Sequence, residues 1–124
     1  MRVLVILGVL AGALALMAAP ALAKDGDKLV RGACTKASTS KLKLSEEDGR
    51  IEVELEVDQN RNGVRWTVVL SRPSGVIVRT TRVTRAPSGS FELRRVVADL
   101  AGADRIIARA TSPSGEVCRA AATF

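Results

Sequence analysis

The chain has 124 residues, a formal net charge of +6, and neither histidine nor tyrosine. That composition excludes serine–histidine and cysteine–histidine nucleophilic chemistry. One tryptophan and two phenylalanines are too few for the aromatic platforms on which single-stranded nucleic acids and sugars stack, so no nucleic-acid partner is expected.

Met1 and Arg2 form a short positive start, followed by an apolar run from Val3 to Ala19 and by Pro20-Ala21-Leu22-Ala23, whose small residues suit signal-peptidase cleavage. Residues 1–23 are therefore expected to be a signal peptide and residues 24–124 a single secreted domain. The run is near the lower length limit of a membrane helix and lacks a charge cluster behind it, so no stable membrane span is expected after cleavage. No cysteine follows the cleavage point to accept a lipid anchor.

Beyond residue 24 the apolar pattern has period two and no sustained helical period. Strands are predicted near 28–35, 40–45, 50–58, 64–71, 76–84, 90–97, 104–111 and 116–124. "RIEVELEVD" is the clearest: Ile51, Val53, Leu55 and Val57 point to a core, while Glu52, Glu54 and Glu56 point to solvent beside cations such as Arg65. In "VRWTVVL" the inward set is Val64, Trp66, Val68 and Leu70. Three Pro-Ser-Gly triplets, at 73–75, 87–89 and 113–115, suit type I turns with proline second. Their spacings are unequal, which argues against a repeat architecture.

Cys34 and Cys118 are the two cysteines, and in an exported chain they are expected to pair, tying the first strand to the last. Seven or eight strands over about 100 residues fit an all-β, two-sheet antiparallel sandwich of immunoglobulin-like kind. Trp66 falls where such a domain has its core tryptophan, and "AGADRIIARA" where the chain turns into the penultimate strand; Ala108 stands near the position of the second central cysteine, so the usual central disulfide is missing.

The stretches "KLKLSEEDGRIEVELEVDQNRNGVRW", "TRAPSGSFELRR", "AGADRIIARA" and "GEVCRAAATF" resemble a group of short exported actinobacterial proteins of immunoglobulin-like fold and unassigned activity. The resemblance spans nearly all of the chain after residue 23. It implies fold and export, and it carries no catalytic motif.

The acids Glu46, Glu47 and Asp48 and the ladder Glu52, Glu54 and Glu56 are read as ordinary ionised surface groups, so no enzymatic activity and no cofactor are expected. In "DQNRNG", Asp58, Asn60 and Asn62 match alternate ligand positions of a calcium loop and Gly63 the glycine. The position that demands a bidentate glutamate holds Val69. A turn at Asn62-Gly63 is the expected reading, and weak calcium binding the alternative. Arg79, Arg82, Arg85, Arg94 and Arg95, from two consecutive strands, are the candidate cationic binding face. The expected function is a binding module for an anionic cell-envelope polymer or another secreted protein. The alternative is a structural protein that self-associates through a terminal strand edge.

Overall fold

Alternation of apolar and polar residues makes most of these segments strands, and nine form among the described residues. They are β1 (Lys28–Arg31), β2 (Ala33–Cys34), β3 (Thr39–Glu47), β4 (Arg50–Asp58), β5 (Arg65–Arg72), β6 (Gly75–Val83), β7 (Ser90–Ala98), β8 (Arg105–Thr111) and β9 (Val117–Thr123). The computed structural model describes residues 26–124; the expected signal peptide, residues 1–23, lies outside the described residues.

Two antiparallel sheets result, one of four strands in the order β1-β3-β4-β7 and one of five in the order β2-β9-β8-β5-β6. Strands β3-β4-β7 take the A-B-E positions of an immunoglobulin-like sandwich, and β9-β8-β5-β6 take G-F-C-C′. Trp66 therefore sits on the C-equivalent strand, fully buried, with its ring tilted against Phe91 at 5.9 Å between centroids. Its indole N–H donates to Gln59 Oε1 at 3.0 Å, so the one polar atom of the ring is satisfied inside the core.

The core is the inward set of both sheets: Leu42 and Leu44 from β3, Ile51, Val53, Leu55 and Val57 from β4, Trp66, Val68 and Leu70 from β5, and Ile106 from β8 are all buried. Each large side chain so buried contributes about 1.5–3 kcal/mol. Val64 precedes β5 and is only half-buried against this core.

The expected single first strand, 28–35, is two. Gly32 divides it, passing the chain from the edge of the four-stranded sheet to the edge of the five-stranded one. The divide needs glycine: its N–H donates to the Ser40 carbonyl, and a Cβ there would lie 2.1 Å from Ser40 Oγ and 2.9 Å from the Arg119 carbonyl oxygen. Two residues later Cys34 pairs with Cys118 in a disulfide between neighbouring strands of one sheet, not across the sandwich as in antibody domains.

The turns are less uniform than the three triplets suggest. Pro73-Ser74 close the β5–β6 hairpin, with Arg72 opposite Gly75, and at 112–115 the Gly115 N–H donates to the Ser112 carbonyl as a β-turn requires. The middle triplet differs. There Ala86-Pro87 is cis, and the Gly89 N–H reaches the Arg85 carbonyl, one residue further back than in a β-turn. The calcium-like stretch is a turn, with positive φ at Asn60 and Gly63 where the sequence placed it at Asn62 and Gly63.

Candidate functional site

Register decides which side chains share a face. Across the middle of the five-stranded sheet, Arg79 of β6 stands opposite Val69 of β5, Val69 opposite Arg109 of β8, and Arg109 opposite Arg119 of β9. Directly paired residues in antiparallel strands lie on the same side of a sheet. Since Val68, Leu70, Ala108 and Ala120 point into the core, this row points out. Arg79, Arg109 and Arg119 are exposed, whereas Val69, Ile107 and Val117 are half-buried between them. Together they line an open depression of about 870 Å³.

Rows on either side of the arginines carry no charge. One is Thr81-Thr67-Thr111-Val117, and the other is Val76-Ser71-Ile107-Ala121. Arg65 and Arg105 point outward nearer the strand ends. No Asp or Glu occupies an outward position of β5, β6, β8 or β9, and Arg79, Arg109 and Arg119 make no ion pair among the described residues. Arginines paired directly across strands repel, by about 0.2–1 kcal/mol, so the face holds charge that the fold itself does not balance.

The outer face of the four-stranded sheet is the opposite case. Its glutamate ladder was expected beside Arg65, but Arg65 belongs to the other sheet. Lys41 pairs with Glu56 at 3.8 Å, Lys43 with Glu54 at 3.7 Å and with Asp27 at 3.8 Å, and Arg94 with Glu52 at 2.6 Å. Glu52 is buried, not solvated. The hydrogen bond from Arg94 holds its carboxyl down at about 2, well below the ordinary 4.5. Lys41 and Lys43 meet Glu56 and Glu54 in register, Arg94 reaches Glu52 diagonally, and Glu92 stands opposite Glu56.

Of the five arginines singled out from sequence, Arg79 alone belongs to the depression. Arg94 is held by Glu52 and Glu47 on the opposite sheet. Arg82 is opposite buried Trp66 and Arg95 opposite buried Val53, so neither shares the outward row of Arg79. Arg82 donates to the Thr81 carbonyl at 2.9 Å, and Arg95 to the Arg94 carbonyl at 3.0 Å. Arg85 is exposed in the β6–β7 connection. The expected common patch is thus dispersed, because alternation within a strand sends neighbouring arginines to opposite faces.

Arg109 and Arg119 were missed, although a signal for them exists: both flank the triplet at 113–115 at equal distance from Ser114, so a tight turn there sets them opposite each other. For the calcium alternative, Asp58 Oδ1 accepts the Asn60 N–H at 3.0 Å, an Asx turn, and no group of three potential metal ligands converges among the described residues.

A second polar assembly is structural. Glu116, buried, accepts the Ser38 hydroxyl at 2.6 Å and the backbone N–H groups of Ser38 at 3.0 Å and Lys36 at 3.1 Å, clamping the 35–38 loop to the β8–β9 turn. Comparison with protein-family models, curated proteins and solved structures gives no match for this chain.

Proposed function

We propose that this is an exported, non-enzymatic binding module that takes an anionic partner on the outer face of its five-stranded sheet. One observation carries the reading: Arg79, Arg109 and Arg119 stand in a single cross-strand row with no acid on their face to neutralise them. Guanidinium groups kept unpaired in a shallow depression match carboxylate or phosphate oxygens, which they bind through two parallel hydrogen bonds. Export is supported by the leader-like pattern of residues 1–23 and by the Cys34–Cys118 disulfide, since such bonds persist in oxidising compartments. An anionic envelope polymer or an acidic region of another secreted protein would meet these requirements.

Self-assembly through a terminal strand has less support. Strand β9 is flanked by β2 and β8, and β1 is an edge of four residues. Of the two nine-residue edges, β6 carries Arg79 and Arg82 and a bulge opposite Leu70 and Ser71, and β7 carries Glu92, Arg94 and Arg95, features that hinder strand addition.

The test is elution from an immobilised phosphate polymer in a salt gradient. The triple variant R79Q/R109Q/R119Q is expected to elute well before R82Q/R85Q/R95Q, although both lose the same charge. Co-elution of the two triples would reduce the interaction to net charge and reject the face.

A further inference from the structure

Resting on that reading, we infer that the partner is a linear oxyanion polymer that lies across the strands, along the row from Arg79 to Arg119. The spacing of the row is the reason. Neighbouring strands are about 4.8 Å apart, so Arg109 and Arg119 are separated by about 5 Å, Arg79 stands about 10 Å from Arg109, and the row spans about 14 Å. A single phosphate or carboxylate engages the Arg109–Arg119 pair and leaves Arg79 empty. Only a ligand with anionic groups repeated along a line satisfies all three.

The flanking rows make the site a track. Along the strands the next residues outward from the arginines are uncharged on both sides, with Thr67, Thr81 and Thr111 on one and Val76, Ser71 and Ile107 on the other. A polymer running along the strands would leave the charged row after one residue, whereas one crossing them follows it. Threonine hydroxyls supply donors and acceptors to one edge of the ligand, and exposed Val76 and half-buried Ile107 border the other. Among the described residues no aromatic ring lies on this face, since Trp66 and Phe91 are core residues and Phe124 packs against the core. Base stacking is therefore not available.

The shared chemistry is a repeated oxyanion, and phosphate and carboxylate polymers are its two sources. Calorimetric titration of the oxidised protein with inorganic phosphate, pyrophosphate, long-chain polyphosphate, galacturonate dimer and a long oligogalacturonate separates them. Expected is affinity that rises with length in one polymer series, with R79Q weakening the long polymer roughly fivefold, as loss of one ion pair allows, and leaving the short members unchanged. Equal weakening of short and long ligands by R79Q, or affinity independent of length, would overturn the cross-strand polymer while leaving an anion-binding face. Binding to phosphatidylglycerol vesicles without binding to either soluble series would overturn it in favour of a lipid surface. No binding to any of these probes would remove both readings.

Discussion

Arg109 and Arg119 face each other at one register position of β8 and β9, and among the described residues no acidic side chain bridges them. Like charges directly opposite in a sheet cost about 0.2–1 kcal/mol. R109Q is therefore expected to raise the urea midpoint slightly while weakening retention on a phosphate polymer. A fall in both would mean that Arg109 serves the fold. The Arg94–Glu52 pair on the other sheet should behave in the reverse sense. The carboxyl of Glu52 titrates near 2 when folded and near 4.5 when unfolded, so in that window the unfolded chain binds the extra proton. Its stabilising contribution is present above pH 4.5 and is lost as pH falls toward 2. Urea midpoints at pH 6 and pH 2.5 should show a larger gap between wild type and E52Q at the higher pH; a constant gap would count against the pairing. Glu116 holds three donors in a buried site, and E116A, which strands them, is expected to cost about 2–4 kcal/mol in the same assay.

At the scale of elements, turns are the sharpest constraint. Gly63 and Gly89 have similar positive φ, 76° and 65°, but a Cβ on Gly63 meets open space while one on Gly89 would lie 2.2 Å from the backbone nitrogen of Arg61. Gly63→Ala is expected to cost about 1 kcal/mol from the backbone alone. Gly89→Ala should cost more than twice that, because the 85–90 turn must also move off the 60–61 backbone; equal losses would show that the contact yields easily. The same elements show what could be read in advance. Alternation placed Ile51, Val53, Leu55, Val57, Trp66, Val68 and Leu70 in the core, where they are, since a period of two is a local property of strands. The triplet at 113–115 also encodes register, because a tight turn centred at Ser114 brings Arg109 to Arg119; at the β5–β6 hairpin the Arg72–Gly75 closure alone would set Arg79 opposite Val68, and the bulge beside Leu70 and Ser71 moves it to Val69. The pairing of β5 with β8 joins segments about forty residues apart in sequence, and no local pattern specifies it. Without it the arginine row is invisible. The split of the first strand was hidden for a similar reason: the crowding around Gly32 comes from Ser40 and Arg119, which are distant along the chain.

Across the described residues, 26–124, the sandwich has its short strand β2 pinned covalently to β9 within one sheet. Cys34 and Cys118 are 84 residues apart, and cross-linking so long a segment restricts the unfolded chain by up to about 4–5 kcal/mol in the loop-entropy description. Reduction, or the C34S/C118S double variant, should therefore lower the urea midpoint by a large part of the total stability without changing the all-β circular dichroism; an unchanged midpoint would contradict it. The two outer faces divide the remaining roles. On the four-stranded sheet lysines and glutamates neutralise one another in register, and on the five-stranded sheet arginine charge is left unbalanced. The most direct measurement is amide chemical-shift mapping of the isotope-labelled, oxidised protein during titration with long-chain polyphosphate at low salt. Salt-reversible shifts are expected, concentrated at Arg79, Val69, Arg109 and Arg119. Shifts centred on Lys41, Lys43 and Arg94, or none, would contradict it.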